Sequence, residues 1–145
     1  MKRQTIYLAA DHAGFGLKER LFSALCALPV ELVDLTPRFV AGDDYPAIGR
    51  TLARKVAKGK DARGILICGS GIGVAIAANR VNGARAFDAH SAAEVKLARR
   101  HNDANILALS GWNLDKLAAM NLIRIFLKTP FSRAKRHHRR VRQLQ

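Results

Sequence analysis

The segment best suited to chemistry is Cys68-Gly69-Ser70-Gly71-Ile72-Gly73. A thiolate can act as nucleophile or base. Glycines at every second position let the backbone approach a ligand and aim N–H groups at negative charge. The apolar run Gly64-Ile65-Leu66-Ile67-Cys68 before the loop reads as a strand buried on both faces. The residues after it read as a helix, whose N-terminus adds partial positive charge. The alternative is a buried cysteine before a tight turn, and the glycine loop outweighs it. The pattern is not a nucleotide loop: it has no Gly-Lys-Ser/Thr ending, and Gly-x-Gly-x-Gly is not Gly-x-Gly-x-x-Gly.

Two further clusters could join it. Asp11-His12-Ala13-Gly14 follows a first strand and offers an acid, a base and a glycine. Read blandly, it is a capping aspartate beside a surface histidine. His101-Asn102-Asp103-Ala104-Asn105 precedes the last strand. His101 can move protons near neutral pH and Asn102 can hold hydroxyls, although the same residues also suit a helix end. Because it starts a strand, this cluster belongs at the sheet edge opposite Cys68, reachable only from another subunit or around an edge. No metal is expected: His12, His90, His101, His137 and His138 show no zinc-ligand spacing backed by cysteines. Cys26 reads as core on the apolar face of the first helix.

The elements that must position these groups follow from periodicity. Gln4–Ala9 reads as a strand. Leu17, Leu21, Phe22, Leu25 and Leu28 recur at helical spacing up to Pro29, and Val30–Leu35 reads as a second strand. A turn-rich loop runs from Thr36 to Asp44. Pro46 then marks a helix start with Asp44 as a possible cap, and Ile48, Leu52 and Val56 continue the stripe to Gly59. After the strand Gly64–Cys68 come a helix at Val74–Arg80 and a strand at Ala84–Phe87. A helix at Ala92–Arg100, a strand at Ile106–Leu109 and a helix at Leu114–Leu127 complete the pattern. Strands alternating with helices imply a parallel sheet covered on both sides.

With 145 residues, 49% of them hydrophobic, the chain is one domain's worth and too apolar for a solvated coil. Two cysteines do not make a disulfide scaffold. No apolar run reaches the roughly 18 residues of a membrane helix, and Met1-Lys2-Arg3-Gln4 opens no signal-peptide core. A single cytoplasmic domain over 1–145 is the expectation. The net charge of +14 favours an anionic partner. Six basic residues and no acid lie in the last fifteen positions: Arg133, Lys135, Arg136, Arg139, Arg140 and Arg142. From charge alone this basic C-terminal tail, from about 131, reads as solvated, though on a helix Arg136 and Arg140 would share one face.

Taken in order, Asp11-His12-Ala13-Gly14, Asp44-Tyr45-Pro46, Gly64–Gly73, Ala77-Ala78-Asn79 and His101–Asn105 resemble the type B ribose-5-phosphate isomerases and galactose-6-phosphate isomerase subunits. The resemblance runs through Arg136-His137 and Arg139-Arg140-Val141. It implies a three-layer α/β/α sandwich with a five-stranded parallel Rossmann-like sheet. It also implies a homodimer or homotetramer with active sites at the subunit interface, which would let His101 reach a neighbour's Cys68. The implied reaction is a cofactor-free aldose–ketose isomerisation of a sugar phosphate, ribose 5-phosphate to ribulose 5-phosphate first. In that reading the chain is an intramolecular oxidoreductase, with Cys68 as the base between C1 and C2. Backbone amides of Gly69, Ser70, Gly71, Ile72 and Gly73 would hold the enediolate, with Ser70 where many members have threonine. His101 would assist ring opening, aided by Asp11. Asp44, Tyr45 and Asn102 would line the pocket, and His12, Arg136 and Arg140 would bind the phosphate.

A glutamate base used by some relatives would fall at Val74, so the chain is of the cysteine type. Where the family commonly has Gly-Ala-Arg, this chain has Ser110-Gly111-Trp112, and an indole cannot neutralise phosphate. Phe87-Asp88-Ala89-His90 is also atypical. Another pentose, tetrose or hexose phosphate is therefore an alternative substrate. A nucleic-acid-binding or sugar-phosphate-sensing protein is an alternative of a different class. No nucleic-acid or membrane partner is expected from the resemblance.

Overall fold

The computed structural model describes residues 3–144. Met1 and Lys2, part of the stretch read as having no signal-peptide core, lie outside them, as does Gln145. The strands are β1 (Thr5–Ala10), β2 (Glu31–Asp34), β3 (Arg63–Cys68), β4 (Ala86–Asp88) and β5 (Ile106–Ser110). They form one parallel sheet in the order β2-β1-β3-β5-β4. Among the described residues six helices accompany it: α1 (Phe15–Cys26), α2 (Tyr45–Lys58), α3 (Ile72–Ala78), α4 (Ala92–Asn102), α5 (Lys116–Lys128) and α6 (Lys135–Arg142).

The strand side chains alternate between two cores, as the period of two requires. Ile6, Leu8, Ile65, Ile67, Leu107 and Leu109 pack with α1, α4 and α5, on Leu17, Leu21, Val95, Ile123 and Phe126. Ala9, Leu66, Cys68, Ile106 and Ala108 pack with α2 and α3, on Leu52, Val56 and Val74. The result is the expected three-layer sandwich. β1 leads to β2 on one side and to β3 on the other, so the strand order reverses between β1 and β3. Ligands bind at such a reversal, outside the carboxyl ends of the strands. Ala10 pairs with Ile67 there, which sets Asp11 beside Cys68.

Three expectations are corrected. Cys26 is exposed rather than core. It lies about 100° round the helix from buried Leu25 and so leaves the stripe. Phe22 is likewise partly exposed. The C-terminal segment is not a solvated tail but the docked helix α6, which buries His137 and Val141 and packs on α4. Its two inward residues are spaced four apart, a stripe too narrow to stand out among the arginines. α3 starts at Ile72 rather than Val74, because Gly71 in the left-handed region (φ 85°) turns the chain straight into the helix.

Candidate active site

At the carboxyl edge of the sheet, Cys68 is 4% exposed. Its Sγ accepts the Gly71 N–H at 3.1 Å. Ser70 Oγ accepts the Ile72 N–H at 3.2 Å, so this hydroxyl braces the loop. Among the described residues the Ser70 and Gly73 N–H groups find no protein acceptor and are left for a ligand. Asp11 is buried, donates its N–H to Ile67 carbonyl oxygen at 3.2 Å and accepts the Gly14 N–H on Oδ1 at 2.9 Å. That bond closes the β1–α1 turn. A β-carbon on Gly14 would lie 2.2 Å from the Ile67 carbonyl oxygen, and one on Gly111 would lie 2.8 Å from that of Ala13. The turns after β1, β3 and β5 are therefore wedged together.

Aromatic rings flank the loop. The Tyr45 ring sits against Gly73 and the Trp112 indole against Gly69, and Trp112 is 73% exposed. Ser110 Oγ donates to the Gly69 carbonyl at 2.7 Å and so ties β5 to the loop. Asp44 stands at the cap position of α2, exposed and without a capping hydrogen bond from its side chain. Its neighbour Asp43, which sequence reasoning missed, accepts from the His12 N–H at 2.7 Å and contacts His12 Nδ1 at 3.0 Å. That hydrogen bond, with the Asp11 charge adding to it, raises the His12 pKa above its ordinary value.

Asp88, at the end of β4, was also missed as a site neighbour. It abuts Gly71, pairs with His90 Nε2 through Oδ2 at 2.9 Å, and keeps Oδ1 buried without a protein partner. Burial pushes its carboxyl above the usual range and Glu94 adds to this, against the pull of His90.

His101, Asn102, Arg136 and Arg140 are not brought to Cys68 within one chain. They gather where α4 runs back towards β5. Asn105, three residues past Asn102, accepts the Gly64 N–H on its carbonyl at the amino end of β3. His101 stacks on His137 with ring centroids 4.3 Å apart and an angle of 9°. Burial lowers the His137 pKa, and the neighbouring His101, Arg136 and Arg140 lower it further. His137 is the third residue to which sequence reasoning gave no role, although the resemblance runs through Arg136-His137 and the four-residue spacing to Val141 marks an inward face. The molecule thus carries two half-sites at opposite edges of the sheet. Among the described residues no three His, Cys, Asp or Glu side chains converge as a metal site needs, and no helix is long and apolar enough to cross a membrane.

Residues 6–144 match the model of the Ribose/Galactose Isomerase family. Ribose-5-phosphate isomerase B of Mycobacterium tuberculosis is 39% identical over 142 residues, covering 97% of this chain and 88% of that protein. The crystal structure of ribose-5-phosphate isomerase B from Mycoplasma genitalium, with bound ribulose-5-phosphate, superimposes with a TM-score of 0.91 at 38% identity. It covers 99% of this chain and 95% of that one. The ribose 5-phosphate isomerase from Thermotoga maritima gives 0.91 at 36% identity, over 97% of each chain.

Proposed function

Since the chain belongs to the ribose/galactose isomerase family, which matches it over residues 6–144, we propose that it interconverts ribose 5-phosphate and ribulose 5-phosphate. It is an aldose–ketose isomerase, and the reaction needs only proton transfers, which side chains can carry. A cytoplasmic location goes with such a substrate, whose phosphate keeps it from crossing membranes. We assign residues 1–145 to a single isomerase domain.

The observation that carries this reading is the Cys68 Sγ to Gly71 N–H contact at 3.1 Å. One turn holds both a proton acceptor and the donors for a developing oxyanion. Cys68 as thiolate takes the proton from C2 of the open aldose, and the electron pair moves onto O1 as the enediolate forms. The free N–H groups of Ser70 and Gly73 hold that charge, a contribution on the order of 3 kcal/mol per donor, whereas those of Gly71 and Ile72, expected to join them, are taken up by Cys68 Sγ and Ser70 Oγ. The proton returns to C1 as the O2 proton passes to O1, which leaves a ketone at C2 and a hydroxyl on C1. Asp11, Asp44 and Tyr45 hold sugar hydroxyls in this reading.

His101, Asn102, Arg136 and Arg140 complete the site from a second copy of the chain. Support comes from the split half-sites and from the bare outer face of α3, where Ile72 and Ile76 are exposed. A two-fold pairing sets one copy's cysteine edge against the other's histidine edge. His101 then opens the sugar ring, and Arg136 and Arg140 join His12 on the phosphate. Co-expressing Cys68→Ala and His101→Asn chains tests this. Each variant is inactive alone, whereas random pairing restores about a quarter of wild-type activity, because each hybrid keeps one intact site. Mixed protein as inactive as its parents would show that the two residues do not work across an interface.

The phosphate role of His12 predicts a pH dependence. Its pKa is raised by Asp43, so it carries charge below that value and loses it as pH rises through it. KM for the sugar phosphate rises across the same window, by up to about fivefold, the worth of an exposed ion pair. In Asp43→Asn the rise moves to lower pH. KM measured against pH for both proteins checks this, and superimposable profiles would remove His12 from the phosphate site.

Trp112 favours a second reading within the same chemistry. Its exposed indole beside Gly69 can pack on a sugar face, which leaves room for another pentose, tetrose or hexose phosphate. Turnover measured on a panel of aldose phosphates decides. Activity on ribose 5-phosphate supports the first reading, activity only on another sugar phosphate the second, and silence on the whole panel rejects both.

A further inference from the structure

The half-sites absorb few of the cations in this +14 chain. A second concentration of charge lies between α4 and α5. Lys96 and Arg100 stand four apart on α4, and Arg124 and Lys128 stand four apart on α5. All four are exposed and line one groove of about 810 Å³. Ile125 also lines it, together with the connection Thr129-Pro130-Phe131-Ser132-Arg133. Its lining holds five cationic side chains and no carboxylate. Among the described residues none of the five lies in a salt bridge.

The groove is built by bonds that do not use these charges. The Ser132 N–H donates to the Arg100 carbonyl at 3.0 Å, and Arg99 Nε donates to the Thr129 carbonyl at 3.1 Å. Thr129 Oγ1 donates to the Ile125 carbonyl at 2.7 Å. The connection from α5 to α6 is thereby pinned across α4. Like charges four apart on a helix repel and destabilise it, and here two such rows share one groove. A bound anion offsets that repulsion.

The arrangement selects an extended anion over a compact one. Each row spaces its charges by about 6 Å along the helix, comparable with successive phosphates on an extended strand. Arg133 carries the charge onward to α6, where Arg139 and Arg142 are exposed. Phe131, at the groove's end, packs against His138 with centroids 4.4 Å apart, an aromatic surface of the kind bases stack on. A concave groove between two helices admits one strand, whereas a duplex is read by an element that protrudes into it. We propose that the α4–α5 groove binds single-stranded RNA through its phosphate backbone. The family resemblance leads to the expectation of no nucleic-acid partner, and residues 96, 100, 124, 128 and 133 give no contrary signal in the sequence, since they form no cluster until the helices pack.

The test is fluorescence anisotropy of a fluorescein-labelled oligouridylate strand, titrated with the full chain at several potassium chloride concentrations. The expected result is saturable binding that weakens steeply with salt. Lys96→Gln/Arg124→Gln/Lys128→Gln weakens it at least about tenfold at fixed salt. The same variant lowers the log–log salt slope by about 2, near 0.7 for each phosphate no longer neutralised. Isomerase turnover in that variant stays at the wild-type level, since none of the three is assigned to catalysis or substrate binding. Arg139→Gln/Arg142→Gln, which removes charge outside the groove, changes affinity less. Wild-type affinity and slope in the groove variant would overturn the proposal. Displacement of the strand by nucleoside triphosphate at matched phosphate concentration would also overturn it, in favour of a compact anion site.

Discussion

Cys68→Ala leaves a folded protein whose isomerase turnover falls by about a thousandfold or more, the range a positioned base supplies. The substitution removes one buried atom beneath the loop and leaves the backbone donors of Ser70 and Gly73 in place. Thermal melting therefore moves little, because the cavity left by a single sulfur is small. KM changes far less than kcat, since the groups assigned to the phosphate and hydroxyls lie elsewhere. Cys68→Ser is the sharper companion. Its hydroxyl can still accept the Gly71 N–H that the sulfur accepts at 3.1 Å, but it is a far weaker base, so kcat stays low with the loop intact. If either variant kept a tenth of wild-type kcat, the base would be another group, and neighbouring Asp11 would be the first to test.

The largest effect on stability is expected at a residue that takes no part in the reaction. Lys18 is 0% exposed, and its Nζ lies 2.6 Å from Asp34 Oδ2 and 2.7 Å from Glu19 Oε1. The Phe15 ring lies beneath the ammonium, 4.7 Å from centroid to nitrogen. Lys18→Met keeps the apolar stem and removes the charge, which strands Asp34 in a nearly closed site. Breaking a buried pair from one side costs about 3–5 kcal/mol, a fall in Tm on the order of 10 °C for a domain this size. Lys18→Met/Asp34→Asn recovers most of the loss. The second change removes the stranded charge, while its side-chain oxygen can still accept the Thr36 N–H that Asp34 Oδ1 holds at 2.9 Å. Melting curves of the two variants decide it, and a single variant within about 1 kcal/mol of wild type would show that the pair contributes little.

These two residues mark what the sequence could and could not disclose. Cys68 announced itself because everything that gives it meaning lies within six positions: the apolar run, the glycines and the helix start. The five strands were legible for the same reason, each a short apolar run between turn residues. Lys18 was invisible because its position beside Leu17 suggests only a helix flank, and Asp34, the carboxylate that makes burial tolerable, lies sixteen residues away. The His12–Asp43 pair spans 31 residues and lies inside a loop without periodicity. The docking of α6 was hidden by composition, since its arginines swamp two inward residues. Cys26 was misplaced because the helical stripe was read one residue too wide. The split of the site between two edges was legible, because a residue that precedes a parallel strand cannot share an edge with one that ends its neighbour.

The contact at Gly14 bears on how freely this chain can change. A β-carbon there would lie 2.2 Å from the Ile67 carbonyl oxygen, so the turn after β1 is registered on the end of β3 by an atom that is missing. No side chain elsewhere can make room, since the obstruction is main chain. That codon therefore stays closed to drift even in a descendant that has abandoned the sugar and lost Cys68, and it would outlast the reaction as a durable signature of this architecture.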